Sequence, residues 1–178
     1  RILDAAAARD AAKALVRIDA DGPLHEGEDP RLVELGRRMF LDERLSQNGA
    51  VACTSCHVLD AGGSLDVPLP NVGVNHERAP YNSAAIWDAP RMFRFGWKGD
   101  TDFAGIVERA LTRPYLMGNE TMHDAAARAT PYYADDFARL GLHIDKRDDF
   151  VKPLAAYIAH IEPSGADADR YFDGNDNE

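Results

Sequence analysis

The chain of 178 residues is long enough for one ordinary domain with its own hydrophobic core, and its formal net charge is -10. This negative charge disfavours nucleic acids and anionic membrane surfaces as partners and favours a basic protein. No apolar stretch approaches the roughly 20 residues that are needed to cross a bilayer. We therefore expect no membrane span.

Hydrophobic periodicity predicts helices separated by long loops, with little of the alternation that is typical of a sheet. A first helix is expected over about residues 3–18, carried by alanines. A second is expected over about residues 30–41, where Pro30 opens a run with one apolar face. The predicted fold is mostly α, with an N-terminal helical extension over residues 1–29 and a single domain over residues 30–178.

Residues 58–100 are rich in glycine, proline and aspartate, and we predict one long loop region there. Long loops in compact domains tend to be functional. A helix is predicted to follow Thr101, because apolar residues then repeat at intervals of three and four, and it should end at Pro114.

The C-terminal third carries several signals for helix ends. Thr121 and Asp124 have the spacing of a capping box, and Thr130-Pro131 resembles an N-cap followed by proline at the first helical position. Gly141 is a natural helix stop. A final helix is predicted from the apolar pattern between Phe150 and Ile161.

The most informative motif is Cys53-Thr54-Ser55-Cys56-His57, because C-x-x-C-H is the spacing that attaches a c-type haem. Each thiol can add across a haem vinyl group to form a thioether, and His57 can then offer its imidazole to the iron. A thioredoxin-like pair should lie in a βαβ pattern, and a structural zinc site needs four ligands. The chain has only two cysteines. We therefore predict one covalently bound haem c, with His57 as proximal ligand.

Haem attachment of this kind takes place on a chain exported from the bacterial cytoplasm, so we expect a periplasmic protein. The sequence opens with Arg1 and an alanine-rich stretch rather than with a basic segment followed by an apolar run. We expect that a signal peptide has been removed from the precursor.

Several motifs, taken in order, resemble the bacterial dihaem cytochrome c peroxidase family, which includes the MauG-type enzymes. The segment over residues 35–46, just before the haem motif, resembles the opening of that family's first haem domain. The further matches are Glu77-Arg78-Ala79-Pro80 to R-N-A-P, Trp97-Lys98-Gly99-Asp100 to W-D-G-R, Glu108-Arg109-Ala110 with Pro114 and Glu120, and Asp169-Arg170-Tyr171-Phe172. Together they span about residues 30–178.

This resemblance implies a cytochrome c-like α domain with long irregular loops, corresponding to the family's N-terminal, peroxide-reacting half. In the family, electrons enter at a second haem and pass to this one, where hydrogen peroxide is reduced to water. We therefore expect a redox partner: a basic electron donor, a second haem protein or a second haem domain.

The resemblance also implies roles for individual residues. Glu120 matches the distal glutamate that would move a proton during O–O cleavage. Arg109, or Glu108, stands where the family has a glutamine, and an arginine could stabilise negative charge on the departing oxygen. Trp97 matches the tryptophan that couples the two haems. Arg78 replaces the asparagine of R-N-A-P, which makes a calcium site doubtful.

The sixth iron ligand decides between two functions. His76, in the loop after the haem motif, is the first candidate and would be displaceable in a peroxidase. Met117 is the alternative, since a thioether is the commonest sixth ligand of electron-transfer cytochromes c. Met122 and His123 rank below it. A fixed ligand would make the chain a monohaem electron carrier. The arginines that could pair with haem propionates are Arg37, Arg38, Arg44, Arg91 and Arg94.

Overall fold

The computed structural model describes residues 28–59, 63–65, 67–87, 89 and 92–161. The helices within these ranges are α1 (Pro30–Phe40), α2 (Phe103–Thr112), α3 (Met122–Arg139) and α4 (Arg147–His160), with short 3-10 helices at Glu43–Leu45 and Cys53–Ser55. The described residues form no strands, only isolated bridges. The mostly α prediction is confirmed. The helix predicted over residues 3–18 lies outside the described residues.

The core is organised by the crossing of α1 and α4. Gly36 of α1 lies directly against the backbone of Pro153, and a Cβ added to Gly36 would collide with the Pro153 carbonyl oxygen. One turn further along, the rings of Phe40 and Tyr157 meet edge to face with centroids 5.3 Å apart. The absence of a side chain at Gly36 therefore lets the two helices approach closely enough to share one core.

The predicted helix ends are confirmed where a side chain or a glycine forms the cap. At the start of α3, the Asp124 carboxylate accepts a hydrogen bond of 2.9 Å from the Thr121 N–H. The Asp124 N–H donates in return to Thr121 Oγ1 at 3.2 Å. At the other end, Gly141 has a φ of 68°, a left-handed conformation that stops the helix after Leu140.

The helix start predicted at Thr130-Pro131 is wrong, because both residues lie inside α3. Pro131 has no N–H and removes one helical hydrogen bond, while Thr130 Oγ1 donates to the Ala126 carbonyl at 2.8 Å. Ala129 and Tyr133 are buried on either side of the proline. Tertiary packing of this face holds the helix together where local sequence signals favour a break.

The loop region predicted after residue 58 contains no α-helix in its described residues. Three antiparallel bridges pin it instead, and each closes a turn; they pair Val58 with Ser64, Val72 with Arg78, and Phe95 with Thr101. None of the described helices is both long enough and apolar enough to cross a membrane.

Candidate functional site

The C-x-x-C-H residues form one tight turn. The N–H groups of Cys56 and His57 both donate to the Cys53 carbonyl, at 3.1 and 2.9 Å. Ser55 Oγ accepts from the Ala52 N–H at 3.0 Å and closes the entry to the turn. Both cysteines are free thiols. Two thiols and an imidazole are therefore held on a short, hydrogen-bonded segment.

The surroundings of the thiols differ from those of a reactive redox pair. Burial, with a smaller effect of the neighbouring Cys56, raises the pKa of Cys53 to about 12. Burial also raises the pKa of Cys56, and the Asn71 amide opposes this in part. A redox dithiol needs a thiolate near neutral pH. The raised pKa values of both cysteines therefore argue against a redox dithiol at this site.

The His57 ring is oriented by the loop that follows it. Its Nδ1 lies 2.9 Å from the Gly63 carbonyl oxygen, so the proton on Nδ1 is donated there and the lone pair of Nε2 is available to a metal. Burial lowers the pKa of His57, opposed by the carbonyls of Gly63 and Ala84. A neutral imidazole with its second nitrogen fixed in this way is what a haem iron requires, and the donor set fits a c-type haem.

The loops that carry the predicted sixth ligands are joined to each other. We call the segments over residues 71–78 and 113–120 the paired loops. The Val74 N–H donates to the Leu116 carbonyl at 2.9 Å. Asn75, through its side-chain amide, also donates to the second loop, at 3.2 Å. Sequence placed both candidates in irregular segments, and the structure brings those segments side by side.

Glycines allow this close approach. A Cβ added to Gly73 would collide with the Tyr115 backbone, and one added to Gly118 would collide with the Val74 side chain and lie 3.0 Å from Gln47 Oε1. Gly118 also has a φ of 72°. A side chain at either position would therefore push the paired loops apart.

His76 and Met117 have opposite surroundings within the paired loops. His76 is exposed at the tip of a turn in which its N–H donates to the Gly73 carbonyl at 3.0 Å, and its φ is 60°. Left-handed backbone is uncommon for residues other than glycine. Met117 is only 4% exposed, and its carbonyl accepts from the Gln47 N–H at 2.8 Å.

Glu120 is exposed and lines an open cavity of about 420 Å³ with Gln47, Asn119, Asp124, Ala127 and Arg128. The floor is the buried Asn119, whose Nδ2 donates to the carbonyls of Leu45 and Leu111, both at 2.9 Å. Arg128 donates to Asn119 Oδ1 at 3.0 Å. Asn119, the neighbour of Glu120, is thus bonded to three other segments of the chain. No sequence pattern distinguished this asparagine, because its partners are distant in the chain.

Arg109 and Glu108 form ion pairs away from the cavity that Glu120 lines. Arg109 pairs with Asp100 at 2.8 Å, which ties α2 to the turn that follows Trp97. Glu108 pairs with Arg147 of α4 at 3.4 Å. The cation that lines the Glu120 cavity is Arg128, a residue that the sequence analysis did not single out.

Trp97 is 64% exposed and is held by two contacts. Its Nε1 donates to the Asn82 carbonyl at 2.8 Å, and its ring stacks on Tyr81 with centroids 5.9 Å apart. Arg78 is also exposed, and its guanidinium donates to the Pro70 carbonyl at 2.6 Å.

Three of the arginines considered for haem propionates already have carboxylate partners. Arg37 pairs with Glu34 at 2.8 Å, Arg38 with Asp136 at 2.6 Å, and Arg44 with Asp42 at 2.7 Å. Arg94 is exposed, and Arg91 lies outside the described residues. Met122 is half-buried and His123 exposed.

Comparisons with known proteins place the chain in a family. Its relatives include the cytochrome c551 peroxidase of Nitrosomonas europaea, 24% identical over 155 residues, which cover 84% of this chain and 46% of that protein. The cytochrome c551 peroxidase of Pseudomonas aeruginosa is 27% identical over 148 residues, or 80% of this chain and 42% of that protein. The chain thus spans less than half the length of these relatives.

Solved structures show the same fold. A MauG-like protein associated with microbial copper homeostasis superposes with a TM-score of 0.68 at 20% identity, covering 92% of this chain and 48% of the other. The diheme peroxidase BthA from Burkholderia thailandensis gives a TM-score of 0.64 at 19% identity, covering 82% and 41%. Residues 30–177 match the family model described as di-haem cytochrome c peroxidase. The chain therefore belongs to the di-haem cytochrome c peroxidase family.

Proposed function

We propose that residues 30–178 form a c-type haem domain that reduces hydrogen peroxide with electrons from a partner redox protein. The observation that carries this proposal is the turn at Cys53–His57, in which two unpaired thiols stand beside an imidazole whose Nδ1 is bonded to the Gly63 carbonyl. Membership of the family supports it, since the relatives are named as peroxidases.

Cys53 and Cys56 would hold the haem through thioether bonds, and His57 would be the proximal ligand through Nε2. When bound, the haem supplies a redox-active iron that can accept peroxide where its sixth position is open. The protein supplies a fixed imidazole, partial burial of the attachment site and a polar region for the proton.

Glu120 would take a proton from the peroxide and return it to the departing oxygen. Its exposure and its place on an open cavity support this role, because a proton carrier must exchange with solvent. Asn119 fixes the backbone next to it through the carbonyls of Leu45 and Leu111. Arg109 remains a proposed cation for this reaction, although its contact in the structure is with Asp100.

Electrons would come from a basic donor, attracted by the formal charge of -10, or from a second haem protein or domain. Trp97 is proposed as the coupling residue on that path, because its ring is exposed to a partner while its Nε1 is fixed to Asn82. We place the protein in the periplasm, where covalent haem attachment is completed. Calcium binding is not proposed, since Arg78 stands at the position of the expected oxygen ligand.

The test is electron paramagnetic resonance of the oxidised holoprotein, combined with peroxide consumption after partial reduction. We expect a low-spin ferric signal from His76 ligation that is lost when the single haem is reduced and returns when peroxide reoxidises it, with peroxide consumed in proportion to donor oxidised. A reduced haem that leaves peroxide unconsumed would contradict the proposal.

One observation favours a second function. Met117 is the buried candidate within the paired loops, whereas His76 lies at an exposed tip. A thioether that already points into protein could serve as a permanent sixth ligand. The chain would then be a monohaem electron-transfer cytochrome without peroxidase turnover.

A further inference from the structure

Asn71 is an unsatisfied polar group at the haem-attachment site. The residue is only 6% exposed, and its Nδ2 finds no hydrogen-bond partner among the described residues. Buried amide nitrogens without a partner are rare, because desolvation is not repaid. The same amide lies close enough to Cys56 to favour its charged form. The Asn71 side chain therefore lies beside the thiol that would carry the haem.

A chain of hydrogen bonds fixes this amide relative to His57. The ring of His57 is bonded to the Gly63 carbonyl, and the next residue, Ser64, donates from its Oγ to the Ser83 carbonyl at 2.8 Å. Ser83 Oγ in turn donates to Asn71 Oδ1. Since Ser83 occupies Oδ1, Nδ2 is the amide atom that is left free for Cys56.

The backbone of Asn71 is anchored as well. Its carbonyl accepts from the Ala79 N–H at 2.8 Å, beside the bridge that joins Val72 to Arg78. Hydrogen bonds therefore fix both the backbone and the side chain of Asn71. Its Nδ2 is a positioned donor that still lacks an acceptor.

We infer that in the haem-loaded protein Asn71 donates its Nδ2 hydrogen to the sulfur of Cys56, and that Ser83 holds it there, which raises the reduction potential of the iron. The inference rests on the proposed attachment of haem at Cys56. A thioether sulfur is a weak acceptor. The positive end of an N–H dipole beside the haem disfavours the oxidised iron, which carries the greater positive charge. Asn71 is a positioning and tuning residue, not a catalytic one.

The experiment is spectroelectrochemical titration of purified holoprotein. Asn71→Leu keeps the branching and the number of heavy atoms of the side chain and removes the donor. At the wild-type midpoint potential, we expect its ratio of reduced to oxidised haem to fall roughly twofold to fivefold, the scale of one weak hydrogen bond. Ser83→Ala should shift the ratio less, in the same direction. Asn82→Leu, the same change at an exposed side chain, should leave the ratio unchanged, because Trp97 bonds to the backbone carbonyl of Asn82, which the variant keeps.

An unchanged ratio in Asn71→Leu with haem covalently attached would overturn the inference, even if the variant melted at a lower temperature, because a purely structural amide affects stability alone. If Asn71→Leu fails to incorporate haem, Ser83→Ala decides: a lowered ratio supports the inference, and an unchanged one contradicts it.

The mass of the wild-type chain separates the two proposals. A chain without attached haem would refute the proposed function, whereas haem present with an insensitive potential refutes only the role of Asn71.

Discussion

The N–H of Val74 and the carbonyl of Leu116 are joined by a hydrogen bond of 2.9 Å that links the loop of His76 to the loop of Met117 and Glu120. Residues that are far apart in sequence therefore share one irregular surface. A displacement of the first loop has to break this bond or carry the second loop with it. The predictions on the sixth ligand and on proton transfer follow from this arrangement.

His76→Asn should remove the sixth ligand and convert the low-spin ferric signal into a high-spin one. Asparagine tolerates the left-handed backbone that His76 adopts, so the turn should be preserved. Met117→Leu, a change of nearly constant volume, should leave the signal low-spin. Electron paramagnetic resonance of both holoproteins measures this, with exposed His143→Asn as control. The opposite pattern, in which only Met117→Leu changes the spin state, would favour the electron carrier.

Glu120→Gln should slow peroxide reduction by about 100-fold or more, because a positioned acid and base typically contributes a factor of roughly 10² to 10⁴. Haem content and the spectrum of the resting protein should not change. Stopped-flow kinetics with hydrogen peroxide measures the effect. Glu77→Gln, an exposed carboxylate of the His76 loop, is the control. Equal rates in wild type and Glu120→Gln would remove Glu120 from the mechanism.

Gly36→Ala should destabilise the fold by about 3 kcal/mol, because the new methyl group would collide with the Pro153 carbonyl and force α1 and α4 apart. Gly141→Ala should cost only about 1 kcal/mol, the price of a left-handed alanine, since nothing lies within 4 Å of the added atom. Urea unfolding of the holoproteins compares the two. Similar losses would show that the helix crossing tolerates a wider separation.

Asp42 should stabilise the protein at neutral pH and lose that effect in acid. Burial raises its pKa, but hydrogen bonds from Arg44 and Tyr133 outweigh burial and leave the pKa below its ordinary value of 3.8. A lowered carboxyl pKa stabilises the fold above the unfolded-state pKa, and this contribution disappears as the pH falls through the folded-state pKa.

Asp42→Asn should therefore lower the free energy of unfolding by about 2 kcal/mol at pH 7, the scale of hydrogen bonds to a charged group. The difference from wild type should shrink below about pH 4. Unfolding by urea at pH 7, 4 and 3 measures it, and exposed Asp145→Asn should show no such trend. A difference that stays constant with pH would mean that the carboxylate charge contributes nothing.

Local rules predicted most of the helix boundaries. Apolar periodicity placed α1, α2 and α4, and the capping box at Thr121 placed the start of α3. They failed at Pro131, where a proline that normally starts or ends a helix lies inside one. The buried neighbours of that proline decided the outcome, and burial is a property of the assembled core that no local window contains.

In the candidate site, too, some residues could be predicted from the sequence and others could not. Sequence predicted roles for Cys53, Cys56 and His57, because the chemistry of haem attachment requires a fixed spacing along the chain, and it predicted roles for Glu120 and Trp97 by resemblance. Sequence could not show that Ser83 orients Asn71 or that Asn119 anchors the segment of Glu120. Those bonds join residues that are distant in the chain.

By itself, the sequence determined the composition of the C-x-x-C-H turn and the helical pattern, since both depend on residues within a few positions of each other. Only the tertiary structure decided which loops meet, which arginines are already paired and which buried amide is left with a free N–H. Hydrogen bonds and burial require groups to be close in space, and proximity in space follows from the way α1 crosses α4 and the loops close around them.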